Sequence, residues 1–206
     1  DQVDFIFQKK QFHLKEVVDL NKSLEYPSWG IHGLAYNEVY RRIKEKGYTV
    51  VIEGHGSDEL FGGYPYMIEP LIFKNFQKFR FKNAFKIFNS YLKTIDSSIQ
   101  SNSKYYLLFK ILIKGLINPL QRNFRKNIEL SFEYKILPIV LRTFDRLTMN
   151  NSIENRSPFI DYRIVEFSRG MPEKFLYDKI GTKAILRRIL KKYNKEHIYK
   201  IERKMG

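Results

Sequence analysis

Val50-Val51-Ile52-Glu53-Gly54-His55-Gly56-Ser57-Asp58-Glu59-Leu60-Phe61-Gly62-Gly63-Tyr64 is the stretch on which the reading of this chain turns. A short apolar, largely β-branched run ends in a Gly-x-Gly turn, an acidic pair follows, and a Gly-Gly break closes the segment. Such a run is a strand, and its C-terminal end is where open α/β sheets place their ligands. Glycines there let the backbone approach phosphates closely. Asp58 is a hard oxygen ligand of the kind Mg²⁺ uses when it bridges phosphates.

Working outward, Tyr48-Thr49-Val50-Val51-Ile52 is continuous rather than alternating, which predicts a strand buried on both faces, as in a parallel sheet. The chain supplies few other strands, and a lone central strand is not stable. The sheet is therefore expected to lie mostly outside these 206 residues, with the chain a piece of a larger protein. Upstream, Leu34 to Lys46 reads as an amphipathic helix ended by Gly47. Residues 1–25 read both ways: Val3, Phe5 and Phe7 alternate like a strand, whereas Phe12, Leu14, Val17, Val18 and Leu20 suit a helix face. Tyr26-Pro27-Ser28-Trp29-Gly30 reads as a break. Downstream, Tyr66 to Asn118 is helical, interrupted by a Ser/Asn-rich loop from Ser97 to Ser103.

Hydrophobic residues make up 43% of the chain, with 17 Phe and 14 Tyr, so it can bury a core. No apolar run reaches the length of a membrane span. There is no cysteine, which removes disulfides and thiolate metal sites and suits the cytoplasm. The net charge of +15 is unevenly spread: residues 71–130 and 179–206 are strongly basic and the remainder is slightly acidic. A basic skew can serve nucleic acid, anionic membranes or polyphosphates. No recognised nucleic-acid module is present, and Lys outnumbers Arg, so a solvated basic face is expected, with neither nucleic acid nor membrane as a partner.

A second polar constellation runs from Arg142 to Asp161 and includes Asp145, Arg146, Glu154, Arg156 and Asp161. Alternating charges at this density suit a buried ion-pair lattice that fixes loops, or the lining of a charged substrate pocket. Pro158 is expected to end a preceding helix. The third segment, Gly181-Thr182-Lys183-Ala184-Ile185-Leu186-Arg187, opens a helix with Thr182 as candidate N-cap and Lys183 in the first turn. A cation there opposes the helix dipole, as expected of a Lys placed for an anion rather than for stability.

Taken together, the three segments resemble the synthetase domain of the glutamine-dependent asparagine synthetase family. The family's Ser-Gly-Glu-Gly-(Ala/Ser)-Asp-Glu-Leu-Phe-Gly-Gly-Tyr is matched by Glu53 to Tyr64. Its Asp-Arg-x-x-Met and Glu-x-Arg-x-Pro-Phe-(Leu)-Asp-Tyr are matched by Asp145, Arg146, Met149, Glu154, Arg156, Pro158, Phe159, Asp161 and Tyr162. Gly181, Lys183, Leu186 and Arg187 match a third motif, and Arg203-Lys204-Met205-Gly206 loosely matches a fourth. The resemblance implies an α/β, Rossmann-like ATP-pyrophosphatase fold of which this segment is mostly helical. Residues 1–64 would end the nucleotide-binding sheet, 65–132 would form a helical insertion, and 133–206 a helical C-terminal part. It implies ATP and Mg²⁺ as cofactors, a small carboxylate acceptor (aspartate above all), and ammonia from a glutaminase domain. The reaction implied is formation of an acyl-adenylate, then amide formation. Glu53 and the Gly54 backbone would face ATP. Asp58 would hold Mg²⁺ and pyrophosphate, Lys183 would stabilise phosphate charge, and Asp145 and Arg146 would lie on the acceptor side.

Two departures stand out. The family's Ser-Gly-Gly-x-Asp-Ser phosphate loop and its N-terminal-Cys glutaminase domain are not in this sequence, so the fragment alone is expected to be inactive. His55 stands where the family carries a Glu that acts near the intermediate. A neutral imidazole accepts a proton but adds no negative charge. This leaves open an amidotransferase or cyclase acting on another carboxylate, and a non-catalytic basic helical module as the rival from a different class.

Overall fold

The structure, a computed structural model, describes residues 13–25, 31–95, 101–118, 122–178 and 181–193. The Val3–Phe7 alternation, the Tyr26–Gly30 break and the Arg203–Gly206 motif lie outside the described residues. The chain divides into two compact units, residues 1–53 with 139–156, and residues 54–138 with 157–206. Helix dominates both, and the described strands form two small two-stranded sheets.

In the first unit, α1 (Leu14–Leu24) settles the ambiguity of residues 1–25 in favour of helix where they are described. His13 precedes it, and its backbone N–H donates to Glu16 Oε2 at 2.9 Å, satisfying a group the helix cannot. The predicted second helix is α2 (Ile31–Glu45), and Gly47 follows in the left-handed region at φ 87°. Leu20, Leu24, Leu34 and Tyr40 are buried, together with Phe144 and Leu147 of α8 (Leu137–Met149). The Tyr36 ring meets Phe144 edge-on at 4.7 Å between centroids.

β1 (Val50–Ile52) pairs in parallel with β2 (Glu154–Arg156), Val51 opposite Asn155. Side chains of α2 hold the turn that leads into β2. Lys44 Nζ donates to Ser152 O at 2.9 Å, and Asn37 Oδ1 accepts from Asn151 Nδ2 at 2.8 Å. Two expectations need correction here. Residues 154–156 form a strand rather than part of a helix ended by Pro158; Glu-Asn-Arg is a poor strand former and owes its extension to the pairing with β1. The predicted burial of β1 on both faces is also not observed. Val50 is 41% and Ile52 76% exposed, because β2 is the one strand beside it among the described residues.

In the second unit, α3 (Ser57–Phe61) leads through a 3₁₀ turn (Pro65–Ile68) into α4 (Glu69–Gln77). α5 (Phe81–Ile95), α6 (Ser101–Ile117) and α7 (Phe124–Leu130) follow. α6 begins inside the stretch expected to be a loop. After α8 and β2 come α9 (Tyr162–Gly170), α10 (Glu173–Leu176), the antiparallel pair β3 (Tyr177–Asp178) and β4 (Gly181–Thr182), and α11 (Ala184–Lys192). Leu60, Phe61, Met67, Phe124, Met171 and Leu176 form one apolar cluster; Ile68, Ile72, Phe88, Tyr91 and Ile111 form a second. Buried aromatics at this density make the clusters the main source of stability.

α6 sits close against α4. A Cβ on Gly115 would overlap the ring of Phe73, and Lys114 Nζ reaches Glu69 Oε2 at 2.7 Å. Arg122 donates from Nε to Gly115 O at 2.7 Å and lies over the Phe73 ring at 5.9 Å. Replacing Gly115 by Ala is expected to destabilise the protein by about 1–2 kcal/mol in urea unfolding, because displacing a buried ring outweighs a helix-propensity gain of about 1 kcal/mol.

A second expectation concerns acid. Hydrogen bonds from Arg41, and then Arg42, hold the Glu38 carboxyl at about 2, below its usual 4.5. A depressed carboxyl contributes stability that is fully present above its unfolded value and lost as pH falls through its folded value. Glu38→Gln should therefore lower stability near neutral pH, and the gap to the parent should close between about pH 4.5 and 2.

Candidate functional site

The turn after β1 is shaped by glycines. Gly56 sits at φ 88°, and a Cβ there would come 2.7 Å from Ile160 Cγ2. A side chain at this position would meet both a backbone penalty and a collision. Ser57 N–H donates to Gly54 O at 3.3 Å, and Leu60 N–H to Gly56 O at 2.9 Å, which starts α3. Leu60 and Phe61 bury in the apolar cluster and fix the orientation of this one-turn helix. Gly62, at φ 69°, ends it, and Gly63 N–H donates to Asp58 O at 2.8 Å.

Asp58 thereby faces Lys183, from 125 residues further along the chain. Lys183 Nζ lies 3.0 Å from Asp58 Oδ1 and donates to Ser57 Oγ at 3.0 Å. Two of the site residues inferred from sequence, Asp58 and Lys183, are thus in contact, and Ser57 is a third member that sequence reading missed. Its signal was its place between the Gly-x-Gly turn and Asp58. The contact depends on Gly63: a Cβ there would overlap Asp58 Oδ1 and Lys183 Cε. Beside it, the buried Glu59 accepts from Tyr64 OH at 2.6 Å. Burial first, and the Glu59 carboxylate second, push the Tyr64 phenol well up, so it stays protonated and donates.

Lys183 does not occupy the helix turn expected for it. Thr182 is not an N-cap but a strand residue of β4, paired with Tyr177, and Lys183 itself precedes α11. Gly181 (φ 109°) and the β3–β4 pairing keep Thr182 extended, and Lys183 turns the chain in the left-handed conformation at φ 52°. That conformation costs a residue with a Cβ about 1–2 kcal/mol. Buried Ala184 and Arg187 Nε, which donates to Thr182 O at 2.8 Å, hold it in place.

The other site residues belong to the first unit, apart from Gly54 and His55, which open the second. Gly54 is exposed with open space where a Cβ would be. His55 is half-buried in the turn. Glu53 directly follows β1: its N–H donates to Arg156 O at 2.9 Å, Asn155 Nδ2 donates to Oε2 at 2.6 Å, and Tyr40 OH donates to Oε1. Burial and then Glu53 push the Tyr40 phenol well up. Asn155 Oδ1 is a buried acceptor with no hydrogen-bond partner among the described residues.

Asp145 is exposed near the end of α8. Its neighbour Arg146 donates to Leu24 O and lies 3.9 Å from Glu25 Oε2. The dense charges of residues 142–162 do not form a buried lattice. Glu154 pairs with Arg156 two residues on, at 2.8 Å, and Asp161 with Arg163, also at 2.8 Å. Charges spaced this closely find local partners in solvent at less desolvation cost than a buried network. Among the described residues no three His, Cys, Asp or Glu side chains cluster as a metal cage.

The family profile described as Asparagine synthase matches residues 1–206, and the chain belongs to that family. Three curated relatives come from Bacillus subtilis (strain 168). Asparagine synthetase (glutamine-hydrolysing) 2 is 26% identical over 175 residues, covering 73% of this chain and 20% of the relative. The enzyme numbered 3 is 29% identical over 154 residues, covering 73% and 25%, and that numbered 1 is 24% identical over 188 residues, covering 75% and 30%. The chain thus spans less than a third of the length of these relatives. No solved structure matches significantly.

Gly63→Ala is expected to part Asp58 from Lys183 at little cost in stability, since both side chains can swing aside. An unchanged melting temperature, with a changed reactivity of Lys183 towards an amine-directed label followed by mass spectrometry, is the outcome that checks it.

Proposed function

We propose that this chain is the nucleotide-activating part of a larger glutamine-dependent enzyme that makes asparagine from aspartate through an acyl-adenylate. Family membership supports the reaction class. The observation that carries the reading is the Lys183–Asp58–Ser57 cluster closed by bare Gly63. In this reading a carboxylate oxygen of aspartate attacks the α-phosphorus of ATP and pyrophosphate leaves. Ammonia then attacks the acyl carbon and AMP leaves. Lys183 is placed to meet the negative charge that grows on the phosphates, its ammonium pre-held by Asp58 and Ser57 so that little reorganisation is needed. Gly54 offers close backbone approach to the nucleotide. Glu53, oriented by Tyr40 and Asn155, would bind on the ATP side, and Asp145 and Arg146 on the acceptor side. The sheet expected upstream would make the fold an α/β ATP-pyrophosphatase.

Mg²⁺ fits the residues present in one way. Asp58 offers one carboxylate, in contact with Lys183 through Oδ1, and Mg²⁺ is commonly held by one or two carboxylates with phosphates and water completing its shell. Bound there, it would neutralise phosphate charge.

His55 favours a second reading, in which the acceptor is a carboxylate other than aspartate. The two readings separate by aspartate-dependent exchange of labelled pyrophosphate into ATP, measured on the full-length protein. Asparagine synthesis predicts exchange that requires aspartate and falls about 10²–10³-fold in Lys183→Ala. Under the second reading, aspartate supports little exchange until His55→Glu is introduced. Absence of exchange with any carboxylate would defeat both.

A further inference from the structure

The helices between residues 69 and 118 expose apolar side chains in a pattern that catalysis does not explain. At the α4–α5 turn, Phe79 adopts the left-handed conformation (φ 54°) with its side chain 82% exposed. The conformation is held by backbone bonds from Phe79 N to Phe76 O at 3.0 Å and from Arg80 N to Asn75 O at 2.9 Å. A non-glycine residue here carries a steric penalty, and nothing in the core compensates it, because the ring faces solvent. Phe79 meets Phe81 at 6.1 Å, Phe81 meets Phe76 at 5.7 Å, and Phe76 meets Phe85 at 5.6 Å, all edge-to-face. The result is a preformed apolar cap. Lys78, Arg80, Lys82 and Lys86 interleave with it in sequence and are all exposed, and residues 70–95 contain no carboxylate.

α6 repeats the chemistry. One face packs inward through Leu108 and Ile111. Another leaves Tyr106, Phe109, Ile113 and Ile117 at the surface, lining with Lys110 and Lys114 an apolar groove of about 450 Å³. The spacing 106, 109, 113, 117 is that of a helical stripe. α6 contains three lysines and no acid; Lys114 is paired with Glu69 of α4, whereas Lys104 and Lys110 are exposed.

We propose that this α4–α6 layer docks on an anionic lipid surface, its exposed aromatic and aliphatic side chains entering the interface and its lysines and arginine meeting lipid phosphates. Charge complementarity selects the occupant. A second copy would bring like charge against like. An RNA strand would need open ring faces for base stacking, whereas the Phe76–Phe85 rings are packed edge-to-face and the α6 stripe is partly aliphatic. Exposed Phe and Tyr flanked by long cationic side chains are the usual composition of interfacial helices, and basic residues beside them add attraction to anionic leaflets. This docking is peripheral: no described helix is long and apolar enough to cross a membrane. It departs from the expectation of a merely solvated basic face, because the sequence did not show which rings stay uncovered. It does not depend on the proposed reaction.

The test is co-sedimentation of the full-length protein with sonicated vesicles. One set is neutral phosphatidylcholine, the other contains about 30 mol % phosphatidylglycerol, at about 0.1 M and about 0.5 M NaCl. The proposal expects binding to the anionic vesicles alone, weakened at high salt. Phe79→Gly should lower binding about ten-fold. Because Gly accepts the left-handed conformation, that variant should keep or raise its melting temperature, so a loss of binding cannot be assigned to unfolding. Phe109→Ser should act in the same direction. Equal binding by parent and Phe79→Gly would reduce the effect to charge alone and overturn the proposal. So would the absence of vesicle binding, self-association through this face, or displacement of bound vesicles by a polyuridylate strand at equal charge.

Discussion

The reach of Lys183 to Asp58 and Ser57 is the contact on which the candidate site depends. It joins α3 to the residue that precedes α11, 125 residues further along the chain, and each is anchored by apolar burial. Leu60 and Phe61 fix α3 on one side, and Ala184 fixes the start of α11 on the other. Between them stands a glycine whose missing side chain is what lets carboxylate and ammonium meet. The left-handed backbone at Lys183 is the local cost of the arrangement. Buried Ala184 and the bond from Arg187 to Thr182 O hold that strained residue in place.

The first unit applies a different constraint to Glu53. A carboxylate at the end of a strand would ordinarily turn to solvent. Here a buried phenol and a side-chain amide hold its two oxygens from opposite elements, α2 and β2. Both are neutral donors, and together they fix the orientation of the carboxyl group. Asn155 Oδ1, without a partner among the described residues, marks the same place as polar. Buried acceptors of this kind are few in native proteins and commonly have a reason.

Apolar surface is distributed in a way that composition does not reveal. The cores take Tyr40, Met67, Ile72, Phe124 and Leu176, yet Ile52 of β1, Phe79 at a helix turn and the outer stripe of α6 stay exposed. Exposure on β1 lies in a strand that can accept further pairing. Exposure on α4–α6 lies among cations. The same solvent cost is therefore associated with two different chemistries, one backbone-directed and one phosphate-directed.

Much of the helical content, the strand at Val50–Ile52 and the glycine turn were legible in the sequence, because periodicity, β-branching and glycine placement act locally; that Asp58 and Lys183 meet was not. The pairing of Glu154–Arg156 with β1 was not, since three polar residues become a strand only when a partner backbone offers hydrogen bonds. Nor was the contact of Ser57 with Lys183, the bracing of Glu53 by Tyr40 and Asn155, or the placing of Thr182 in β4 with Lys183 just before α11. Those depend on atoms brought together from separate elements, Lys183 with Ser57 and Asn155 with Glu53 across more than a hundred residues, or on a β3–β4 pairing that overrides a capping preference. The sequence by itself determined which residue types were available for the chemistry, and where the chain could turn. Only the tertiary structure decided which of them touch, because contact follows from the burial of Leu60, Phe61 and Ala184, and burial is a property of the assembled core.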